Sequence, residues 1–140
     1  MKALTAYLTF DGNTRDAMTF YRQCLGGELS MQTFKEAMPG GPKEIDDKII
    51  HARLEHGGVT IMASDPAPGT SVRQGNNFSL CIDCDDNEEF EKLFGLLGAG
   101  GTVTMKPQDT FWGARFGMLT DRFGVGWMVN AEIPKKGQGG

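Results

Sequence analysis

Three side chains with acid–base or charged chemistry recur at alternate positions in one short segment of the chain. They are His51, Arg53 and Glu55, and the positions between them are apolar. Alternate residues of a β-strand point to opposite faces, so this pattern predicts a strand whose polar face carries all three. An imidazole there could transfer a proton near neutral pH or orient a substrate. The pattern equally suits a structural histidine that hydrogen-bonds Glu55 or the backbone, or one at a subunit contact.

A second group of candidate residues combines aromatic rings with a guanidinium. Trp112 and the preceding phenylalanine come shortly before Arg115, and all three follow a predicted turn at 107–110. Rings beside an arginine can hold a planar or anionic ligand by stacking and bidentate hydrogen bonds. The alternative interpretation is an aromatic plug that closes one end of a sheet, with Arg115 paired to Asp109 or Asp121.

The three cysteines, Cys24, Cys81 and Cys84, cannot all pair within one chain, which favours a reducing compartment. Cys81 and Cys84 form a C-x-x-C string, but an offset of three in a strand places their side chains on opposite faces. A redox pair favours a helix N-terminus and a zinc site needs more ligands, so the string predicts neither.

Composition limits the classes of partner. The 140 residues carry a formal net charge of −4 and 39% hydrophobic residues, which is ordinary for a globular domain. This charge gives no basic footprint, so neither nucleic acid nor an anionic membrane surface is a predicted partner. No apolar run approaches the roughly 20 residues that cross a bilayer. We therefore expect a single cytoplasmic domain over 1–140.

The elements that must position these residues repeat once along the chain. Each half reads as a strand, a helix and three further strands, with the first module at 3–65 and the second at 76–131. One helix on a small sheet cannot bury both faces of that sheet, so the two modules should pack together. The tail at 132–140 is expected to be disordered. The predicted strands span 3–10, 28–34, 48–56, 59–64, 77–83, 102–106, 114–121 and 125–130.

Local signals define the connections between these strands. Asn13 or Thr14 is the expected cap of the first helix, and Asp85 or Asp86 that of the second. The segment 35–47 is polar and rich in Pro and Gly, which predicts a loop. The second helix carries an apolar stripe with helical spacing. Its members are Phe90, Leu93, Phe94 and Leu97.

The chain resembles the vicinal oxygen chelate superfamily, which includes glyoxalase I, bleomycin-resistance proteins and extradiol dioxygenases, and within it the PhnB-like branch. The repeated β-α-β-β-β order carries this likeness together with several motifs over 3–131. The motifs are Phe20-Tyr21, Asp121-x-x-Gly124, His51-Ala52, Phe111-Trp112-Gly113 and Trp127. The resemblance implies an α+β fold of two tandem modules, with curved mixed sheets around a cavity and helices outside. It also implies a homodimer that binds a small molecule.

Metal-dependent enzymes of this superfamily hold a divalent ion at four positions, on the first and last strand of each half. The resemblance, read with strand alternation, assigns these positions to Ala6, Met62, Asn77 and Met128. Divalent ions need imidazole, carboxylate or thiolate donors, whereas thioethers suit soft ions such as Cu(I). We therefore expect no family metal site and no cofactor. The same alternation puts Ser79 on the cavity side and Phe78 on the helix side.

Three functions remain open from the sequence. The first is a metal-free protein that binds a small molecule. The second is an enzyme of isomerase or lyase type that acts on a small carbonyl or enolisable metabolite, with His51 as the catalytic base. The third is a structural or regulatory role. The predicted ligand-binding residues are Arg53, Glu55, Met62, Asn77, Ser79, Trp112, Arg115 and Met128.

Overall fold

The structure is a computed structural model that describes residues 1–134. Residues 135–140, most of the tail predicted to be disordered, lie outside the described residues. The chain forms two compact units, one of which is Met1–Arg73 while the other begins at Gln74. Each unit is one β-α-β-β-β module, and this confirms the predicted α+β fold with two tandem modules.

The two units use the same order of elements. The first contains β1 (Ala6–Thr9), α1 (Thr14–Leu25), β2 (Glu28–Thr33), the short α2 (Phe34–Ala37), β3 (Ile49–His56) and β4 (Val59–Ser64). The second contains β5 (Leu80–Cys84), α3 (Asn87–Gly98), β6 (Thr102–Asp109), β7 (Ala114–Thr120) and β8 (Gly126–Glu132).

Each unit has a four-stranded mixed sheet with the same topology. The strand order is β1-β4-β3-β2 in the first sheet and β5-β8-β7-β6 in the second. The first and last strands of each module pair in parallel, and the remaining neighbours are antiparallel. Within residues 1–134 no helix has the length and apolar character that crossing a membrane requires.

One long helix covers one face of each sheet. In the first unit α1 packs on β3 and β4, and Tyr21, Met18 and Leu54 are fully buried between them. In the second unit α3 packs on β5, β7 and β8, and its predicted apolar stripe is confirmed as buried. Within residues 1–134, neither α1 nor α3 covers the opposite face of its own sheet, the helix-free face, where strand alternation predicts the site residues.

The two helices begin in different ways. Asp86 is the N-cap of α3, where its side chain accepts a 2.8 Å hydrogen bond from the Glu89 amide, as predicted. Asn13 precedes α1 but makes no side-chain cap bond. Asp65, which follows β4, takes this role by accepting hydrogen bonds from the amide and the hydroxyl of Thr14 at 3.1 and 2.8 Å.

Three strands differ by three residues at one end from their predicted bounds, and the first of them, β1, was predicted at 3–10 but spans Ala6–Thr9. β5 begins at Leu80 rather than at 77, and Phe78, expected to face the helix, is 85% exposed before the strand. β6 continues to Asp109, so the predicted turn at 107–110 is mostly strand. Pro107 is tolerated there because β6 is an edge strand and the proline lies within an irregularity between Met105 and Gln108.

Two further segments predicted to be irregular contain regular structure. The loop predicted at 35–47 includes most of α2, which starts with a capping box between Thr33 and Glu36, and a turn of 3₁₀ helix at Lys43–Ile45. At the other end, Glu132 belongs to β8 rather than to the tail, and the Ile133 amide donates to the Gly113 carbonyl at 2.9 Å.

Candidate functional site

The helix-free face of the first sheet carries the polar residues that alternation predicted. Arg53 on β3 pairs with Met62 on β4, and Met62 pairs with Tyr7 on β1. His51 pairs with Gln32 on β2. Residues opposite each other on paired strands point to the same side of a sheet, so these five side chains share one face with Glu55. We call this surface the polar face.

His51 and Tyr7 form the most distinctive contact on the polar face. The Tyr7 hydroxyl lies 3.4 Å from Nδ1 of His51, and the two ring centroids are 6.0 Å apart. The phenol donates when Nδ1 is unprotonated and accepts when Nδ1 carries the proton. His51 is half-buried and Tyr7 is 48% exposed, so the imidazole remains within reach of a small molecule.

An ion pair lies beside this histidine on the same strand. Arg53 Nε donates to Glu55 Oε1 at 2.8 Å, and Arg53 Nη2 pairs with the same oxygen. Arg53 Nη1 also lies 3.8 Å from the Met62 sulfur. Both charged side chains are about half exposed, so the pair is available to a ligand and contributes little to stability. A hydrogen bond between His51 and Glu55 was one alternative from the sequence, but His51 contacts Tyr7 and Glu55 pairs with Arg53.

The helix-free face of the second sheet is chemically different, because it carries a row of sulfur atoms and an aromatic ring beside its polar residues. Cys81, Met128, Met118 and Met105 are successive partners across β5, β8, β7 and β6. We call these four residues the sulfur row. Phe116 precedes Met118 by two positions on β7 and therefore shares the face. Trp112 lies edge-on to Phe116, with 5.8 Å between the ring centroids.

Arg115 does not lie on that face. It pairs with Ala131 of β8, which is buried on the side of α3. Its guanidinium contacts Glu91 of α3 at 3.1 Å and Asp109 at 3.3 Å, and it lies 5.8 Å from the centre of the Phe90 ring. The pairing with Asp109 is the alternative that the sequence left open. Arg115 also lines a groove of about 280 Å³ on the helix side of the second unit.

The two polar candidates before β5 lie outside the strand. Asn77 is exposed in the segment that leads to Leu80, and strand alternation therefore does not determine its direction. Ser79 packs against the backbone of Gly126, where a Cβ atom would lie 3.0 Å from its hydroxyl. Their roles as ligand-binding residues stay predictions, as do those of Trp112, Arg115 and Met128.

The strand register changes two of the four positions that the resemblance assigned to a metal. Ala6 pairs with the buried Ile61, and it is Tyr7 that pairs with Met62. The assignment to Ala6 is therefore wrong by one residue. In the second unit the partner of Met128 on the first strand is Cys81 rather than Asn77.

These donors do not fit a divalent ion of the kind that the superfamily uses. The first unit offers a phenol and a thioether, and the second a thiol and a thioether. Among residues 1–134 no three His, Cys, Asp or Glu side chains gather where they could hold one ion. Imidazole and carboxylate donors, which such ions prefer, are missing from these four positions.

Three other sequence motifs have structural roles. Asp121 accepts hydrogen bonds from the Phe123 and Val125 amides at 2.8 and 3.1 Å, which confirms the predicted turn. The indole of the buried Trp127 donates to the same carboxylate at 2.8 Å. Gly98 is the last residue of α3, and Gly100 and Gly101 lead from it into β6, so these glycines form no loop at a helix N-terminus that could cradle a phosphate.

Cys81 and Cys84 are thiols whose surroundings favour the protonated form. Burial, reinforced by Glu89, Asp83 and other carboxylates near it, raises the pKa of Cys84 from 9.0 to about 11. Burial and the charge of Asp83 also raise the pKa of Cys81. Thiolate character is what makes a cysteine a nucleophile, so neither residue is suited to redox or covalent chemistry near neutral pH.

Comparison with known proteins gives one family. Residues 2–130 match the family model described as 3-demethylubiquinone-9 3-methyltransferase. The chain is 38% identical to the YjdN protein of Escherichia coli K12, over 91% of this chain and 93% of that protein.

Solved structures agree with this result. The crystal structure of PA1353 from Pseudomonas aeruginosa is 43% identical with a TM-score of 0.86, covering 96% of this chain and all of that one. The PhnB protein from Bacillus cereus is 26% identical with a TM-score of 0.76, over 93% of this chain and 99% of that one. Structures described as glyoxalase/bleomycin resistance protein/dioxygenases share the fold at 20–21% identity, which bears on the fold alone.

Proposed function

Because this chain belongs to the 3-demethylubiquinone-9 3-methyltransferase family, the PhnB-like branch of the vicinal oxygen chelate superfamily, we propose that it binds a small molecule without a divalent metal ion. Members of the superfamily generally bind small molecules. The observation that carries the metal-free assignment is the donor set at the family's four positions, which consists of Tyr7, Met62, Cys81 and Met128.

The polar face is the proposed recognition surface. Arg53 can donate to an anionic or carbonyl oxygen, Glu55 can accept from a ligand hydroxyl or amine, and His51 with Tyr7 can do either. Their partial exposure leaves these groups able to exchange water for a ligand.

Metal analysis of the purified protein tests the metal-free assignment. We expect zinc, nickel, iron and manganese each to be far below one equivalent per chain after purification without chelator. Addition of each ion should leave the melting temperature unchanged, since an ion that binds the folded state alone would raise it. One equivalent of any of them in the protein as purified would overturn the assignment.

An enzyme that acts on a small carbonyl or enolisable compound is the second candidate, and the contact between His51 and Tyr7 favours it. A phenol at 3.4 Å from Nδ1 can orient the imidazole in either tautomer, and a base held in one orientation is suited to removing a proton beside a carbonyl. The reaction class would be isomerase or lyase, with His51 as the base.

One variant separates the two candidates. For a binding protein, we expect His51→Ala to retain ligand affinity within about tenfold, since Arg53 and Glu55 remain. For an enzyme, the exchange of pyruvate methyl protons with D₂O, followed by NMR, should be faster with wild type than with His51→Ala. Exchange at the buffer rate with both proteins would exclude enolisation of this probe.

The methyl transfer that the family description names gains no support from the glycines of this chain. A loop that holds the phosphate or ribose of a cofactor usually runs from a strand into the N-terminus of a helix. Here the glycine cluster follows the C-terminus of α3 instead. We therefore do not carry the named activity over to this protein.

The proposal includes a homodimer in the cytoplasm. Superfamily members generally form dimers. Cys81 and Cys84 form no disulfide, which fits a reducing compartment. The formal net charge of −4 does not favour nucleic acid as a partner.

A further inference from the structure

The sulfur row has a regularity that ligand binding by the polar face does not require. Cys81, Met128, Met118 and Met105 are direct partners on the four successive strands of the second sheet. Three of the chain's eight methionines therefore stand in one line across a single sheet, with a thiol at its end. The equivalent line of the first sheet, Tyr7, Met62, Arg53 and Ser30, contains one sulfur atom.

The four sulfur side chains project from the same side of the sheet. The residues that flank them, Leu80, Trp127 and Leu119, form the neighbouring line of partners, and Trp127 and Leu119 are buried on the side of α3. Alternation then directs the sulfur row to the opposite side, where no helix of this unit packs. Solvent reaches this side, because Met105 is 36% exposed, Cys81 is exposed and the other two are half-buried.

The spacing allows several sulfur atoms to meet at one point. Neighbouring strands lie about 4.8 Å apart, so the Cα atoms of three successive members span only about 10 Å. Methionine is unbranched and has three rotatable side-chain bonds, so Met118 and Met128 can bring their thioethers together over the sheet. Cys81 is shorter, but it stands directly beside Met128.

We propose that the sulfur row is a binding site for a soft monovalent ion, Cu(I), with Met128 at its centre and Met118 and Cys81 beside it. Thioether and thiolate donors select Cu(I), and Cys81 would bind as the thiolate and release its proton to solvent. One thiolate beside two thioethers supplies too few imidazole, carboxylate or thiolate donors for zinc, nickel or manganese. The carboxylate of Asp83, on the same face of β5, is bonded to the Asn130 amide at 3.1 Å. The site uses no residue of the polar face.

Titration of the full-length chain with Cu(I) under anaerobic conditions tests the site, with bathocuproine disulfonate as the competing chelator. We expect wild type to bind one equivalent. Met118→Leu and Met128→Leu preserve side-chain volume but remove a sulfur donor, so each should weaken Cu(I) binding at least tenfold. Even mutations of residues that only support the ligands of a metal site typically cost about tenfold in affinity. Cys81→Ser should weaken it as well.

Met38→Leu is the matched control, since Met38 is 49% exposed in the first unit and lies outside the sulfur row. It should bind Cu(I) as wild type does. NMR with methyl-labelled methionine and Ag(I) as a redox-stable substitute locates the ion directly, and the Met118 and Met128 methyl signals should shift. The proposal would be overturned if wild type did not bind Cu(I), or if Met118→Leu and Met128→Leu both bound it as tightly as wild type. Ag(I) shifts confined to other methionines would overturn it as well. None of these outcomes bears on the metal-free binding of a small molecule.

Discussion

At the scale of single residues, Asp65 organises more of the first unit than any residue of the polar face. It is 4% exposed, and both carboxylate oxygens are used. Oδ1 accepts from the amide and hydroxyl of Thr14, and Oδ2 accepts from the Ile49 amide at 2.8 Å. One side chain thus joins the end of β4, the start of α1 and the start of β3. A carboxylate at the N-terminus of α1 is also favoured by the helix dipole.

We predict that Asp65→Asn destabilises the protein by about 2 kcal/mol. The amide nitrogen that replaces one oxygen must face an N–H donor, so a buried hydrogen bond is lost and a donor is left unsatisfied. Urea unfolding measures the effect. Asp11→Asn changes an exposed carboxylate before the same helix and should stay within about 0.5 kcal/mol of wild type. Equal stability of the two variants would contradict the role given to Asp65.

A second residue-scale prediction concerns alkaline pH. The pKa of Cys84 is about 11 in the folded protein against 9.0 ordinarily, because burial and nearby carboxylates oppose the thiolate. The unfolded chain therefore loses this proton first, and stability that is fully present below pH 9 should decline as the pH rises toward 11.

Comparison of wild type with Cys84→Ala measures this contribution. The difference in unfolding free energy between the two proteins should be constant up to about pH 8.5. Above that pH the unfolding free energy of wild type should fall relative to that of Cys84→Ala. Urea unfolding at several pH values provides the curve, and the other titrating groups cancel because both proteins carry them. Parallel curves up to pH 11 would show that the folded and unfolded thiols ionise alike.

The sequence predicted part of the candidate site because the relevant signal is local. Alternation along β3 is enough to place His51, Arg53 and Glu55 on one face. The contact of His51 with Tyr7 depends instead on the register between β1 and β4, two strands far apart in the sequence. Nothing in the sequence near Tyr7 indicates that register. Placing Ala6 on the polar face, as predicted from the sequence, turns every side chain of β1 to the wrong side of the sheet.

At the scale of elements, the contact between α3 and β7 depends on a residue without a side chain. Gly117 is buried on β7, and a Cβ atom there would lie 2.7 Å from Cε2 of Phe94 on α3. That separation is shorter than van der Waals contact, and Phe94 is itself 8% exposed. The helix can approach the sheet closely because Gly117 leaves this space to the Phe94 ring.

We predict that Gly117→Ala destabilises the protein by about 1–3 kcal/mol, the usual result of overfilling a packed core. Gly95→Ala is the matched control on α3. A Cβ at Gly95 would meet nothing within 4 Å, so alanine should stabilise the helix by about 0.5–1 kcal/mol through its higher helix propensity. Thermal unfolding of both variants measures the two effects.

A double variant identifies the partner. Phe94→Leu should make the cost of Gly117→Ala smaller, because the clashing atoms are gone and residues in contact are not additive. An unchanged cost would assign the strain to another neighbour, such as the Met105 carbonyl oxygen at 3.4 Å.

The predicted elements were most accurate where apolar periodicity and caps agree. Val59–Ser64 has its predicted bounds, and α3 starts at the predicted cap and buries the predicted stripe. The bounds of β5 and β6 were wrong for a common reason. Phe78 is apolar yet exposed, and Pro107 is a strand breaker that a bulge on an edge strand accommodates. Local composition cannot show that an apolar residue such as Phe78 lies outside a strand, or that a proline such as Pro107 lies within one.

At the scale of the whole molecule, one topology presents two different surfaces. Both sheets have the same strand order, and both leave one face free of their own helix. The first carries an ion pair and a histidine–tyrosine contact, and the second carries thioethers and aromatic rings. Repetition of a module preserves the core, because the helix-side residues must pack. It leaves the opposite face free to diverge, and this is why the fold was easier to predict than the function.

The exposed aromatic residues lead to the last prediction, which concerns association. Phe111 is 97% exposed and Trp112 is 55% exposed in the single chain, and their rings contact each other edge-on at 5.0 Å. Adjacent large apolar side chains on a surface are typical of interaction sites.

We expect light scattering to give twice the 15.2 kDa of one chain at micromolar concentration. Phe111→Ser should raise the dissociation constant about 30-fold, since a buried phenylalanine contributes about 2 kcal/mol. Met38→Ser, which also removes an exposed apolar side chain, should leave the constant unchanged, and a mass of 15.2 kDa for wild type would contradict the dimer.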